Sequence, residues 1–255
     1  MPGDLVGAWA FETSPVPDES GNGRTITLTG GTLLTSVGNG AFGTRGLTQT
    51  GAETFTAFAL PPEFQTPERT WMCDVIFTGS TTGWIGEFHR GGADNTGVFG
   101  LLDLRGIGST LQFRAKDSSN VERHINLTAP SVMTNVCATH DGTNLRLYLD
   151  GVLIGTLAVP AIWAADNFRL LDNADTVVRI DNMRLFNGAL TQEEIDAWRV
   201  LPADQFPAPA GGTLKYESAP GVWVPVPLKF ESAPGVWTSV PVKIETSPGD
   251  WEPLP

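Results

Sequence analysis

Residues 139–157 read THDGTNLRLYLDGVLIGTL, and this stretch decides the fold class. Leu145, Leu147 and Leu149 alternate with more polar residues, which is the pattern of a strand with one buried face. The Asp-Gly pairs at 141–142 and 150–151 supply the positive-φ residues that tight hairpin turns require. The stretch therefore predicts three antiparallel strands joined by two turns.

Comparable short runs, rich in β-branched and aromatic residues, occupy much of residues 5–186. They read LVGAWAFE, RTITLTG, TFTAFAL, TWMCDVIFTG, GVFGLLDLR, TLQFRAK, NVCATHD, NLRLYLDG, VLIGTLAV and VVRIDNMRLF. One helix is predicted after them, because Thr191 and Glu194 form a capping box and Pro202 ends the apolar pattern. Strands without intervening helices predict an all-β fold, a two-sheet antiparallel jelly-roll sandwich with one short C-terminal helix.

A unit of 14 residues is written three times at the C-terminus, at 214–227, 228–241 and 242–255. Each copy predicts a short hairpin, and an isolated hairpin is only marginally stable in water. Prolines in the strands, such as Pro225, Pro227 and Pro241, also lack the amide N–H that a central strand needs. We therefore expect the repeats to become ordered by binding a partner; a self-contained three-hairpin sheet or prism is the alternative. The residues expected to contact the partner are Trp223, Trp237, Trp251, Tyr216 and Phe230.

The domain organisation follows from these patterns. Residues 1–201 form the jelly roll, 202–213 a linker rich in Pro, Ala and Gly, and 214–255 the three repeats. The net charge of −12 gives no electrostatic reason to bind nucleic acid or an anionic membrane. The N-terminal sequence lacks the basic and apolar segments of a signal peptide, so synthesis in the cytoplasm is expected.

The two cysteines, Cys73 and Cys137, both lie in apolar strand-like runs. They are interpreted as two buried free thiols, with a bridge between neighbouring strands as the alternative. With the three scattered histidines they make no zinc pattern.

Three segments in order resemble the laminin-G-like, concanavalin-A-like lectin-glucanase jelly rolls. They are the acidic loop DESGNG at 18–23, the hairpin region at 136–157, and IDNMRLFN at 180–187 with the helix that follows. The resemblance covers roughly residues 5–200. It implies two packed antiparallel sheets of about six or seven strands, one concave and one convex.

Many proteins of this kind bind a structural calcium near the acidic loop and the last strand. The resemblance implies that Asp18 and Asn22 supply side-chain oxygens and that Asp181 contributes from the last strand. The alternative is that Asp18 and Asn22 only shape a turn while Asp181 caps a backbone group.

A glycan site is a hypothesis for residues 81–95, TTGWIGEFHRGGADN, which are interpreted as a loop. Trp84, His89 and Arg90 are the candidate glycan-binding residues, beside Glu87. The alternative places Trp84 and Phe88 in the sandwich core and leaves Glu87 and Arg90 solvated.

Catalytic patterns do not occur in the sequence. Laminarinase-like relatives carry Glu-x-Asp-x-x-Glu on one strand, and no segment matches it, nor a Gly-x-Ser-x-Gly elbow or His-Glu-x-x-His. The sequence therefore predicts a protein that is not an enzyme.

Domains of the family that this sequence resembles occur in adhesion proteins, carbohydrate-binding modules and bacteriophage virion proteins. The fold alone does not indicate which of these functions a member has. The repeats favour a virion structural protein, a minor tail protein with an outward-facing lectin-like domain whose residues 214–255 attach to other virion proteins. The alternatives are a carbohydrate-binding module that acts in adhesion to host-surface glycans, and a head-decorating protein.

Overall fold

The computed structural model describes residues 4–28, 32–49, 56–60, 67–79, 81–89, 103–108, 110–117, 119, 121–160, 167–172, 178–206, 214–219, 222–226, 243–247 and 250–253. The chain divides into two compact units, Met1–Phe206 and Pro207–Pro255. No helix among the described residues is long and apolar enough to cross a membrane.

The described part of the first unit contains two antiparallel sheets. The eight-stranded sheet has the order β12 (Val152–Ala158), β11 (Asn144–Leu149), β10 (Thr134–His140), β5 (Arg69–Phe77), β14 (Val178–Phe186), β3 (Leu47–Gln49) and β2 (Thr32–Leu34), and β1 (Leu5–Trp9) also pairs with β14. The six-stranded sheet has the order β4 (Thr56–Ala59), β13 (Asn167–Asp172), β6 (Thr81–His89), β7 (Asp103–Gly108), β8 (Thr110–Lys116) and β9 (Glu122–Thr128). The predicted all-β jelly-roll sandwich is confirmed.

The hairpins predicted from residues 139–157 are present. Leu149 pairs with Val152 across a two-residue turn in which Asp150 has φ 46° and Gly151 has φ 78°. Both values lie in the left-handed region, which matches the right-handed twist of the flanking strands. In the preceding turn Gly142 has φ 89°, and the Asp141 carboxylate accepts the Asn144 amide proton at 2.7 Å.

Aromatic rings hold the two sheets together. Trp71 of β5 is 1% exposed, and its ring lies 6.0 Å from that of Phe113 and 5.4 Å from that of Phe168. Gly86 of β6 sits against the same indole, where an added Cβ would lie only 2.6 Å from the ring. The centre of the core therefore depends on a large side chain in one sheet facing a glycine in the other.

The two cysteines lie on neighbouring strands but on opposite faces of one sheet. Cys73 of β5 pairs with Val136 of β10, whereas Cys137 of β10 pairs with Met72 of β5. Cys73 belongs to the core between the sheets, and Cys137 belongs to a second apolar cluster on the other face. Both are free and buried, so the prediction of free thiols is confirmed and the bridge is wrong.

Helix α1 (Gln192–Arg199) covers that second cluster. The predicted capping box is confirmed, because the Thr191 amide donates to the Glu194 carboxylate at 2.7 Å and the Glu194 amide donates to the Thr191 hydroxyl at 3.3 Å. Ile195 is buried, and the Trp198 ring packs edge-on against Phe186 at 5.2 Å.

The strand predicted from RTITLTG is wrong for its described residues. Ile26 makes a single bridge with Val16, and no strand forms at residues 24–28. The Arg24 amide donates instead to the Asp18 carboxylate at 3.0 Å, so it is not available to a strand ladder. Conversely, strands β2, β3, β9 and β13 had not been predicted.

In the second unit, the first and third repeats each contain a hairpin. β15 (Leu214–Ala219) pairs with β16 (Val222–Val226), and β17 (Lys243–Ser247) pairs with β18 (Asp250–Pro253). Glu217 pairs with Trp223 and Glu245 with Trp251, and both ladders shift register after this glutamate. The second copy, with Phe230 and Trp237, lies outside the described residues.

Candidate functional site

The acidic loop at 18–23 is fastened to β1 by the Asp18 carboxylate. Its Oδ1 accepts the Ala8 amide at 3.0 Å and the Ser20 hydroxyl at 2.6 Å, and its Oδ2 accepts the Arg24 amide at 3.0 Å. Asn22 directs its amide nitrogen to the Val6 carbonyl at 3.0 Å. These bonds explain why DESGNG forms a compact turn beside the first strand.

Asp181 lies at a bulge in β14 and is 2% exposed. Its Oδ2 accepts the Ala41 amide at 2.9 Å and the Thr44 hydroxyl at 2.8 Å, and its Oδ1 accepts the Asn182 amide at 2.7 Å. Burial, together with the nearby Asp74 carboxylate, raises the pKa of Asp181 to about 7. The side chain therefore holds the turn at residues 41–44 against the last strand of the sandwich.

These donor sets differ from that of a calcium site, which needs oxygens free to face the ion. The carboxylates of Asp18 and Asp181 accept N–H and O–H donors, and Asn22 turns its nitrogen towards β1. Within the described ranges, no group of three or more His, Cys, Asp or Glu side chains is placed to hold a metal ion. The observed bonds match turn shaping and backbone capping, and calcium binding stays a prediction.

Residues 81–89 form strand β6, so their interpretation as a loop is wrong. The strand lies inside the six-stranded sheet, where Trp84 is opposite Asp172 of β13 and Arg105 of β7, and His89 is opposite Asn167. Gly86 favoured the prediction of a loop, but in the strand its lack of a side chain leaves room for the Trp71 ring of the other sheet. The side chains of Trp84 and His89, and the whole of Arg90, lie outside the described part, so the structure does not test them as a glycan site.

Glu87 and Phe88 of the same strand are both buried. Phe88 packs edge-on against Phe168 at 4.7 Å, as expected for a core residue. Glu87 is 2% exposed and its carboxylate lies 4.0 Å from the guanidinium of Arg169, its cross-strand neighbour. The expectation that Glu87 is solvated is therefore wrong.

A cleft that the sequence had not indicated lies next to Asp181. It encloses about 190 Å³ and brings together four segments: the end of β1, the turn at 41–44, the bulge of β14, and the residues after α1. We call it the Asp181 cleft. Its lining residues are Ala10, Glu12, Phe42, Thr44, Asp181, Asn182, Pro202, Ala203, Asp204 and Gln205.

Hydrogen bonds between the segments fix the walls of the Asp181 cleft. The Arg184 guanidinium donates to the carbonyls of Leu201 at 2.8 Å and Pro202 at 2.5 Å, and so holds the residues after α1. The Asn182 amide nitrogen also donates to the Leu201 carbonyl, at 2.9 Å. The Arg45 amide donates to Glu12 at 2.9 Å and ties the turn to the end of β1. The cleft is therefore part of the folded scaffold.

Two residues of the lining have a left-handed backbone. Phe42 and Asn182 both have φ 53°, a conformation that asparagine tolerates but that costs a bulky residue such as phenylalanine roughly 1–3 kcal/mol. Phe42 is 53% exposed, although aromatic side chains are usually covered. The fold thus holds an exposed ring beside a group of acidic side chains.

The sequence pointed to Asp181 but missed Glu12, Phe42 and Asp204. An aromatic residue between glycines, in GAFGT at 40–44, was the available signal for Phe42. Asp204 belongs to the segment that the sequence assigned to the linker, whereas residues up to Phe206 are part of the first compact unit. Ala203 of this segment is 1% exposed.

The comparison with protein families matches residues 38–196 to the family described as the Concanavalin A-like lectin/glucanases superfamily. The chain belongs to this superfamily. A search of curated proteins finds no match.

Among solved structures, the botulinum neurotoxin serotype G binding domain is similar with a TM-score of 0.60 at 13% identity, over 84% of this chain and 55% of that one. The binding domain of Paraclostridial Mosquitocidal Protein 1 has a TM-score of 0.57 at 15% identity, over 76% of this chain and 51% of that one. The botulinum neurotoxin DC binding domain, solved in complex with SialylT, has a TM-score of 0.54 at 13% identity, over 75% and 49%. This chain spans about half the length of these structures. At such identities the similarity establishes a shared lectin-like jelly-roll fold.

Proposed function

We propose that this chain is a non-catalytic binding protein of a bacteriophage virion, a minor tail protein. Its jelly roll faces outward and residues 214–255 attach it to other virion proteins. The observation that carries the proposal is the division of the chain after Phe206, which separates the jelly roll from a unit made of repeated hairpins. A head-decorating protein would use the same arrangement at a different place on the particle.

The repeats have the properties expected of a weak partner-binding site that is present in several copies. Two described copies share one register, in which Lys215 and Lys243 pair with a proline and Glu217 and Glu245 pair with a tryptophan. A lone two-stranded hairpin is marginal in water and gains most from pairing with the edge of a partner's sheet. Three tethered copies raise the local concentration of the unit, so the chain stays bound when one copy dissociates.

Two buried carboxylates of the core, Asp74 and Glu87, are consistent with a role without catalysis. Asp74 accepts the side-chain amides of Asn135 at 2.8 Å and Asn182 at 2.9 Å, and Glu87 is paired with Arg169. Glycoside hydrolysis needs two carboxyl groups facing the same bond, roughly 5–9 Å apart, one of which must donate a proton. Asp74 and Glu87 instead interact with side chains inside the fold and do not face a common bond of a substrate.

Truncation after Gly212 tests the attachment role. The shortened chain is expected to fold with the thermal stability of the first unit but to be missing from purified particles. A full-length chain with Trp223, Trp237 and Trp251 changed to alanine is expected to behave in the same way, while removal of residues 242–255 alone should reduce incorporation only in part. Normal incorporation of the chain that ends at Gly212, measured by mass spectrometry of particles, would contradict the proposal.

A second candidate function, glycan binding in host adhesion, is favoured by the shared fold with toxin binding domains, one of them solved in complex with SialylT. It is compatible with the first function, because a different unit would carry it. Retention of the full chain on immobilised neutral, amino and acidic oligosaccharides tests it, and no retention on any of them would contradict it.

A further inference from the structure

We propose that β12 (Val152–Ala158) is the pairing edge of a homodimer. Two copies of the chain join through this strand, antiparallel about a twofold axis, so that their eight-stranded sheets become one continuous sheet. The inference is independent of the attachment role of the repeats and of glycan binding, because it concerns only the surface of the first unit.

Three consecutive large apolar side chains are exposed in β12. Val152 is 63% exposed, Leu153 48% and Ile154 44%. The other exposed large apolar residues of the described ranges are scattered along the chain. Single exposed apolar residues are normal on a protein surface, whereas a contiguous run indicates a contact surface.

The backbone of β12 is unpaired on its outer side. The strand is the last one of the eight-stranded sheet and pairs with β11 on its inner side. No hydrogen bond from any other part of the chain that the structure describes reaches residues 152–158. A strand edge with free N–H and C=O groups is a template for another strand. The partner that fits this surface is therefore a β-strand.

The other sheet edges are protected in ways that β12 lacks. Strands β2 and β4 are only three and four residues long, and β9 carries the ionisable run ERH at 122–124. The outer side of β1 is bonded to the acidic loop, where the Glu19 amide donates to the Ala8 carbonyl at 2.8 Å. In contrast, β12 reads VLIGTLA, seven residues without a charge or a proline.

A second copy of β12 is the occupant because the strand is complementary to itself. In an antiparallel pair centred on Gly155, Val152 faces Ala158 and Ile154 faces Thr156, so that a larger side chain meets a smaller one at both positions. Ile154 is available for this contact, because the ladder shifts register there and leaves it without a residue opposite on β11.

Charge also favours a second copy at this edge. Each chain carries a net charge of −12, so two copies repel each other over most of their surfaces. Because β12 contains no ionisable side chain, its pairing places no like charges opposite each other. The edge of β9, with its ionisable run, does not offer this.

Sedimentation velocity of the full chain from about 1 to 200 µM tests the proposal. One strand from each copy makes an interface smaller than the roughly 1,200–2,000 Å² of stable complexes, so we expect a reversible monomer–dimer equilibrium. Thr156→Lys, at an exposed position of β12, should raise the dissociation constant about 10-fold or more, because an edge lysine opposes strand pairing. Leu153→Lys should have the same effect.

Thr128→Lys is the matched control, because it makes the same change at an exposed position of β9, the edge of the other sheet. It should leave the dissociation constant unchanged, and the thermal unfolding of all three lysine variants should match that of the wild type. The full chain with Trp223, Trp237 and Trp251 changed to alanine should still dimerise, which separates this interface from association through the repeats.

Three results would overturn the proposal. They are a chain that stays monomeric at every concentration, a dimer that both β12 variants leave intact, and a dimer that is lost with the three tryptophans of the repeats.

Discussion

Replacement of Trp71 by alanine is expected to lower the free energy of unfolding of the jelly roll by about 3–5 kcal/mol. Trp71 is 1% exposed and its ring contacts Phe113 and Phe168 of the opposite sheet. Removing the ring leaves a cavity that the neighbouring side chains cannot fill, because Gly86 has no side chain to move into it.

Urea denaturation followed by far-ultraviolet circular dichroism measures this loss. Trp198→Ala is the control, since Trp198 is only partly buried and packs on the outer face of the sandwich against Phe186 and Phe206. It should cost clearly less than Trp71→Ala. A loss below about 1 kcal/mol for Trp71→Ala would mean that the centre of the core lies elsewhere.

The second large effect concerns pH. Because burial raises the pKa of Asp181 from 3.8 to about 7, the folded protein keeps this proton at pH values where the unfolded chain has lost it. The stability linked to Asp181 is therefore fully present below about pH 4 and is lost as the pH rises through about 7. Each pKa unit corresponds to about 1.4 kcal/mol, so a rise from 3.8 to about 7 makes the loss of unfolding free energy roughly 4 kcal/mol by pH 8.

Asp181→Asn removes this titration. The unfolding free energies of the wild type and the variant, measured from pH 4.5 to 8, should diverge so that the wild type loses stability relative to the variant as the pH rises. The comparison with the variant is needed because burial also lowers the pKa of His140. The titration of His140 makes the folded state more stable as the pH rises towards 6.5, which is opposite to the effect of Asp181. Both proteins contain His140, so its contribution cancels in the difference between their unfolding free energies. Asp4→Asn, at an exposed position, should follow the wild type, and a constant difference between wild type and Asp181→Asn would contradict the assignment.

Features that depend on neighbouring residues were predictable from the sequence. The hairpins of residues 139–157 follow from the alternation of apolar and polar residues and from the turn pair Asp150-Gly151. The start of α1 follows from the capping box of Thr191 and Glu194. In each case, the residues that determine the structure are a few positions apart, so a short window contains the whole cause.

Features that depend on distant contacts were not predictable. Strand β6 looked like a loop because of its glycines, yet Gly86 is fitted to Trp71 of the other sheet. The Asp181 cleft assembles residues near positions 11, 43, 181 and 204, and no local pattern relates them. The segment after α1 looked like the start of a linker, but Arg184 of β14 binds the carbonyls of Leu201 and Pro202.

Asp181 was singled out by the family resemblance, which implied a calcium ligand, and that role stays a prediction. In the structure its carboxylate accepts hydrogen bonds from the amides of Ala41 and Asn182 and from the Thr44 hydroxyl. It therefore shapes the cleft by holding two segments together.

The most direct test of the central claim, that the repeats are a separable attachment unit, is transfer of residues 214–255 to an unrelated monomeric fluorescent protein. The fusion is produced in cells that assemble the virion, and the fluorescence that copurifies with the particles is measured. We expect the fusion to associate with the particles, and the same fusion with Trp223, Trp237 and Trp251 changed to alanine to remain in the soluble fraction. Particles that carry no fluorescence from the intact fusion, while incorporating the chain that ends at Gly212, would contradict the account.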